Sequence, residues 1–144
     1  MLSTATSTHP IMANYDCTSR TNYFRVKDAT RFTAWAAHRG LIVHPQEGNN
    51  DRFALAPDDS NDGAFPGIDH ETDEAIDFTA ELAAHLDEGS VAVLLEIGAE
   101  KLRYLHGHAI AIDAHGESVE VTLDAIYALA DQRFPGKEVT RAEY

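Results

Sequence analysis

The chain has 144 residues and a formal net charge of −13, with 24 Asp and Glu side chains against 11 Lys and Arg. This charge argues against direct contact with nucleic acid or an anionic membrane, because both require Lys and Arg to meet phosphates. The hydrophobic fraction of 44% is that of a globular domain, and the single cysteine, Cys17, excludes an internal disulfide. The chain has no run of eighteen apolar residues, so no membrane span is predicted. No signal peptide is recognised either, and we therefore expect a cytoplasmic protein.

The N-terminal part is predicted to contain a loose lead, a strand and a helix. Residues 1–19 are read as a flexible lead, and residues 20–144 as one domain. Aromatic and β-branched residues predict a strand over 21–26. Asp28 is a good N-cap for a helix over about 29–39.

Two further strands, a long loop and a second helix follow. Strands are predicted at 41–44 and 52–56, joined by a Gly-Asn-Asn turn. Residues 57–72 contain two prolines and two glycines and predict an irregular loop, which at this length is functional or disordered. A helix is predicted to start near Asp77 and to end by Gly89.

The C-terminal part predicts three more strands and a final helix. The nearly continuous apolar run at 91–97 is typical of a central strand, and strands at 102–113 and 119–121 follow. Thr122 is predicted to cap the last helix. Five apolar residues are predicted to share one face of that helix: Leu123, Ile126, Tyr127, Ala130 and Phe134.

The predicted order of elements is βαββαβββα. Short turns between consecutive strands favour antiparallel pairing, and all helices can lie on one face of the sheet. The sequence therefore predicts an α+β fold with a mainly antiparallel sheet and helices packed on one face. An open edge of that sheet would leave room for a homodimer.

All of the net charge comes from one third of the chain, residues 53–100. This stretch holds thirteen acidic residues and no Lys or Arg, whereas the rest of the chain holds eleven of each sign. A general adaptation for solubility would spread the acids along the chain, so the segregation favours a binding role. Eight acids of the loop and of the following helix entry are the candidate partner-binding residues: Asp58, Asp59, Asp62, Asp69, Glu71, Asp73, Glu74 and Asp77.

The same loop contains a partial calcium motif. Asp58, Ser60 and Asp62 stand at positions 1, 3 and 5, Gly63 at position 6, and Asp69 at position 12, as in an EF-hand loop. A strand precedes the loop where an EF-hand has a helix. The alternative is a turn in which Asp and Ser bond their own backbone.

Two other positions carry reactive side chains. His106 and His108 lie on one face of a predicted strand, at a spacing that can supply two zinc ligands or simply two sheet histidines. Cys17 would be a nucleophile if a histidine lay beside it, although a lone cysteine is usually structural. No phosphate loop or serine elbow accompanies them, so no catalytic residues are predicted.

Three short motifs carry a resemblance to a known group of proteins. Thr21-Asn22-Tyr23-Phe24-x-Val26, Glu100-Lys101-Leu102-Arg103-Tyr104 and the terminal Glu143-Tyr144 resemble small acidic accessory proteins of phages, plasmids and other mobile elements. The resemblance implies an accessory role in a mobile element. Acidic proteins in that setting include anti-restriction and anti-CRISPR inhibitors.

These observations predict a non-enzymatic acidic protein without a cofactor. Its expected partner is a basic protein surface of a host defence complex, which the carboxylates would occupy in place of nucleic acid. One alternative is a calcium-binding module at 58–69. Another is a small enzyme that uses Cys17 or the histidine pair.

Overall fold

The structure, a computed structural model, describes residues 15–59, 62–100 and 104–143. It confirms the α+β class. Three helices and seven strands lie in the described parts of the chain, in this order: β1 (Tyr15–Thr21), β2 (Phe24–Arg25), α1 (Ala29–His38), β3 (Leu41–Gln46), β4 (Asn49–Pro57), α2 (Phe78–His85), β5 (Ala92–Glu100), β6 (Tyr104–Ile112), β7 (Ser118–Thr122) and α3 (Ala125–Arg133).

The strands divide between two antiparallel sheets rather than forming one. The larger sheet has the order β1-β5-β6-β7, and the smaller has the order β2-β4-β3. The predicted meander of three consecutive strands is present as β5-β6-β7. The order predicted from the sequence lacks one strand, because the predicted first strand at 21–26 covers β2 and only the last residue of β1.

Strand β1 corrects the predicted domain boundary. Residues 15–19, expected in the flexible lead, pair with β5, and only residues 1–14 of that lead lie outside the described residues. The strand is polar, so it carries no aliphatic alternation that sequence reading could detect. Ser19 and Thr21 are nevertheless buried, and the backbone N–H of Leu55 donates to the Thr21 hydroxyl oxygen at 2.8 Å.

Helices α1 and α2 form as predicted and pack beside each other. Asp28 and Asp77 cap them by accepting from the backbone N–H groups of Arg31 and Ala80. The Trp35 ring stacks on the Phe78 ring at a centroid distance of 5.6 Å. Both helices, strands of both sheets and the segment after α2 contribute to one core: Phe24, Phe32, Ala36, Leu41, Leu55, Phe78, Leu82, Ala83, Leu86, Ala92, Leu94 and Ile112.

Helix α3 differs from its prediction. It begins at Ala125, with Asp124 rather than Thr122 at the N-cap position, and it has no buried residue. Ile126 is 58% exposed, and Phe134, which follows the helix, is 49% exposed. None of the five residues assigned to the apolar face is buried, and Leu123 and Phe134 flank the helix.

Candidate binding surface

The acidic loop between β4 and α2 is attached to the body at its start and in its middle. The backbone N–H of Asp58 donates to the Gly40 carbonyl at 2.9 Å. Gly63 has a φ of +88°, and a Cβ at this position would lie 2.0 Å from the carbonyl oxygen of Cys17 in β1. Only glycine lets the loop approach β1 this closely. Farther along, the Phe65 ring stacks on Phe78 at 5.2 Å.

Residues 67–76 form a small hairpin-like turn that presents several of the acids. The backbone N–H of Ile76 donates to Gly67, and that of Asp69 donates to the Glu74 carbonyl at 2.8 Å. One carboxylate oxygen of Asp69 accepts from the N–H groups of residues 71 and 72 inside the turn. The turn therefore has a defined backbone although it lies between regular elements.

Arg39, at the end of α1, joins this turn to α2. Its Nη1 donates to Asp69 Oδ2 at 2.9 Å, and its Nε and Nη2 donate to the two oxygens of Glu81, each at 2.9 Å. Trp35 Nε1 also donates to Glu81 Oε1 at 2.8 Å. The Arg39 side chain is only 12% exposed. A largely buried guanidinium thus holds two carboxylates from distant parts of the chain in place.

The pKa shifts follow from these contacts. The hydrogen bond from Arg39 and those from the backbone of the turn lower the pKa of Asp69 to about 2. The hydrogen bond from Arg39 also lowers the pKa of Glu81, and the two carboxylates raise the pKa of Arg39. All three groups are therefore charged at neutral pH.

The eight predicted partner-binding acids fall into two groups. Asp69 and Asp77 have structural contacts, with Arg39 and with the N-terminus of α2 respectively, and Asp58 is half-buried. The other five are exposed, and we call them the acidic loop surface: Asp59, Asp62, Glu71, Asp73 and Glu74.

The remaining acids of the stretch lie elsewhere on the molecule. Asp87 is near Arg25, at 3.9 Å, and Glu88 pairs with His115 at 2.9 Å. Glu96 lies in β5, where it accepts from the Ser19 hydroxyl at 3.4 Å. The acids that are neighbours in sequence therefore lie only partly together in space. The acidic loop surface is the part of the chain in which they follow one another most closely.

The calcium hypothesis concerns four residues, of which Ser60 lies outside the described part of the chain. Asp69, the residue at position 12, directs its carboxylate to Arg39 and to its own turn. Within residues 15–59, 62–100 and 104–143, no three His, Cys, Asp or Glu side chains are grouped so that they could hold a metal ion. The calcium site stays a prediction.

The histidine pair lies on the larger sheet as predicted. His108 contacts the carboxylate of Glu120 in β7, and Glu96 is its direct neighbour in β5. His106 lies on the same face of β6, two residues away. The Cys17 thiol is 3.6 Å from the Ser19 hydroxyl oxygen and 3.6 Å from the Gly63 carbonyl. A catalytic role for these groups also stays a prediction.

Two residues that organise the loop were not candidates in the sequence. Arg39 falls at helical spacing with Phe32, Trp35 and Ala36 of α1, which was a signal that its side chain is partly buried. Glu81 gave no signal, because a Glu in the first turn of a helix is common for electrostatic reasons alone.

Comparison with protein-family models, with curated proteins and with solved structures finds no match for this chain. Among the described helices, none has the length and apolar character needed to cross a membrane.

Proposed function

We propose that this protein is a non-enzymatic binding protein whose acidic loop surface occupies a basic, nucleic-acid-binding surface of another protein. The observation that carries the proposal is the presentation of five exposed carboxylates on a loop that the body holds at several points. The proposed setting is the cytoplasm and a mobile genetic element, and the proposed partner belongs to a host defence complex.

The attachment of the loop supports a binding role for its acids. Gly63 touches β1, Phe65 packs on α2, and Asp69 is held by Arg39. A loop whose backbone is already ordered loses less conformational entropy on binding than a free acidic tail does. The exposed carboxylates are thus presented in a preorganised arrangement.

The charge environment supports a basic partner. No Lys or Arg lies within residues 53–100, and the nearby Arg39 is already neutralised by two carboxylates. The loop that carries the acidic loop surface therefore contains no Lys or Arg that would weaken the negative electrostatic potential of these carboxylates. Such a surface steers a Lys- and Arg-rich partner toward it, most strongly at low salt.

A displacement experiment tests the proposal with two charge-reversal variants of equal charge. The loop variant carries Asp59→Lys, Glu71→Lys and Glu74→Lys. The control carries Glu47→Lys, Asp51→Lys and Glu117→Lys, three exposed acids outside the loop. The probe is a fluorescent duplex DNA bound to each of several sequence-nonspecific DNA-binding proteins, and the anisotropy of the DNA reports its release.

We expect the wild type to release DNA from at least one of these proteins. The loop variant should need an about tenfold or higher concentration, because each lost surface pair contributes about 0.2–1 kcal/mol and each reversal adds repulsion. The control variant should stay within about twofold of wild type. Equal losses in both variants would show that only net charge matters, and no release from any protein by wild type would disprove the mimicry.

A further inference from the structure

Among the described residues, one face of the larger sheet is largely apolar and exposed over β5, β6 and β7. Along β5, Ala92 and Leu94 point into the core and are at most 6% exposed, whereas the alternate residues Leu95 and Ile97 are 44% and 63% exposed. The strand register places further aliphatic residues on that same side. We call this side the outer face, and its large exposed residues are Leu95, Ile97, Leu105, Val119 and Val121.

The outer face has the shape of a shallow trough. Its middle strand, β6, contributes only Gly107, Ala109 and Ala111 over the central rows. Larger side chains flank these positions, with Leu95 opposite Ala109 on one side and Val121 opposite it on the other. Small residues between two rows of larger ones lower the surface along β6, and the Leu123 side chain fills the position above Gly107.

Helix α3 is short and buries none of its nine residues. Its Tyr127 side chain contacts the C-terminal segment, where the Tyr127 hydroxyl oxygen accepts from the Ala142 backbone N–H at 2.9 Å and Arg141 lies over the Tyr127 ring. Isolated helices shorter than ~12–15 residues are marginal in water, and packing of an apolar side supplies most helical stability in proteins. Ile126 and Leu129, one turn apart, are 58% and 57% exposed.

The start of α3 is held at the edge of the sheet. The backbone N–H of Leu123 donates to the Gly107 carbonyl at 2.9 Å, and the Leu123 side chain lies where a Cβ on residue 107 would be. Among the described residues, one chain therefore presents both a helix with no buried residue and an apolar trough on its larger sheet.

We propose that a second copy of this chain covers the outer face, and that two copies exchange their α3 helices across a twofold axis. Each α3 would lie in the trough of its partner. The same contact would occur twice, so the assembly would be a closed twofold dimer, the commonest form of homo-oligomer. Exchange of an identical element between two copies is a known way to form such dimers.

Area and charge both fit a second copy. Eight exposed aliphatic side chains on the outer face, on α3 and at Leu123 offer on the order of 500 Å² per copy, if each fully exposed one offers about 100 Å². Two copies would bury on the order of 1,000 Å² of apolar surface, which matches a standard interface of about 1,600 Å² that is roughly 60% apolar. In β5, β6 and β7 the aligned rows of the outer face are uncharged, β1 adds the exposed Arg20 beside Leu95, and α3 carries Asp131 and Arg133. Two strongly acidic chains therefore meet here over a surface that adds little negative charge of its own.

The sheet edge is a less suitable place for the same dimer. The exposed edge strand β7 has Glu120 at its centre. Antiparallel pairing of two β7 strands around a twofold axis through that residue would place two carboxylates opposite each other, which is unfavourable.

Light scattering of the full-length protein after size exclusion tests the exchange. The face variant is Ile97→Arg, the helix variant is Leu129→Arg, and the control is Ile42→Arg, an aliphatic residue in the smaller sheet that is 46% exposed. We expect dimers at micromolar concentration for the wild type and the control, and monomers for both other variants. Circular dichroism should show folded protein in every case.

Mixing the two monomeric variants distinguishes exchange from other dimers. A mixed pair keeps one contact, because the intact α3 of the face variant meets the intact trough of the helix variant. We expect mixing to produce heterodimers, at an affinity below that of the wild type. A monomeric wild type, dimeric single variants, or a mixture that stays monomeric would each overturn the proposal. Binding of a monomeric wild type to zwitterionic lipid vesicles would overturn it in favour of a lipid surface.

Discussion

Arg39 shows how one largely buried cation can determine where several acids lie. Its guanidinium makes three hydrogen bonds to Asp69 and Glu81, which are 30 and 42 residues away in the chain. Removing it would leave two carboxylates facing each other with little solvent between them. When one partner of such a charge cluster is removed, the free energy of unfolding falls by more than the intact cluster contributes, because the remaining charges are left unpaired.

We expect Arg39→Ala to lower the free energy of unfolding by roughly 2–3 kcal/mol. This lies below the 3–5 kcal/mol of a fully buried pair because Asp69 and Glu81 retain some solvent access. Urea unfolding at neutral pH measures the change, and the exposed Arg31 on the same helix provides Arg31→Ala as the control.

The variant should also weaken the displacement of DNA described above, because the turn that carries Glu71 and Glu74 loses its attachment. If Arg39→Ala unfolds at the same urea concentration as Arg31→Ala, then the cluster does not stabilise the loop. Protonation of Asp69 should have a similar effect. Its folded pKa is depressed, so its contribution is present above its unfolded pKa of 3.8 and is lost as the pH falls toward about 2.

Capping residues were predictable because their partners are close in sequence. Asp28 and Asp77 each accept from a backbone group three residues later; Asp28 was predicted as an N-cap, and the second helix was predicted to start near Asp77. The partners of Arg39 come from other elements, and no local rule pairs them. Because the sequence does not show the contact between Asp69 and Arg39, Asp69 was predicted to bind a partner protein. In the structure its carboxylate binds Arg39 of the same chain.

Helices α1 and α2 share an aromatic contact that includes a histidine. The His85 ring lies 4.9 Å from the Trp35 ring and 5.9 Å from the Phe32 ring. Burial lowers the pKa of His85, and the nearby cations Arg31 and Lys27 lower it further, against the opposing effect of Glu81 and Asp28. At a pH between the folded and the unfolded pKa of His85, this residue is therefore neutral in the folded protein and protonated in the unfolded chain.

This shift predicts that the protein loses stability as the pH falls from 7 through the unfolded histidine pKa of about 6.5. The unfolded chain binds the proton first, so protonation favours unfolding until the pH reaches the lower folded pKa. Urea unfolding at a series of pH values between neutral and mildly acidic measures the slope. In His85→Phe, which keeps an aromatic ring at this position, the slope should be reduced.

The chain has eight histidines, so a matched variant is needed. His44→Phe replaces an exposed histidine on β3 and should keep the slope of the wild type. Identical slopes in wild type and His85→Phe would show that His85 is not held neutral by its burial.

The elements differ in how much of them the sequence could reveal. Helix α1 has a cap, a terminal glycine and buried residues at helical spacing, and all three signals agree. Strand β1 has none of them, because its inward side chains are Ser19 and Thr21 and burial of hydroxyl groups leaves no apolar pattern. Helix α3 has the pattern of a packed helix, but sequence alone does not say whether the covering surface belongs to the same chain.

At the scale of the whole molecule, the segment 21–27 joins the two sheets. Asn22 exchanges backbone and side-chain hydrogen bonds with Val93 at the start of β5, and Arg25 N donates to the Ser90 hydroxyl at 2.9 Å. The hydrophobic core includes Phe24 of this segment. The acidic loop joins β4 to α2, and both elements contribute residues to the same core. The formal charge of −13 is therefore carried by one compact unit.

That charge predicts a stability that rises with salt. Carboxylates without a cation partner repel one another in the folded state, and this repulsion decreases as the Debye length falls to about 10 Å at 0.1 M ionic strength. We expect the thermal midpoint to rise by roughly 3–5 °C from low to moderate NaCl, which corresponds to about 1 kcal/mol for a chain of this size. KCl at equal ionic strength should have the same effect, since screening does not depend on the identity of the monovalent cation.

Calcium provides the decisive comparison for the loop. At constant ionic strength, the acidic-surface proposal predicts the same midpoint with calcium, with magnesium and with EDTA. A site that binds calcium only when folded would raise the stability by about 2.7 kcal/mol at one hundred times its dissociation constant. If such a rise occurs and is lost in the pair Asp58→Asn with Asp62→Asn, but kept in the pair Glu47→Gln with Glu117→Gln, residues 58–69 bind a metal. In that case the exposed carboxylates serve the ion, and the proposed role in binding a basic protein surface is wrong.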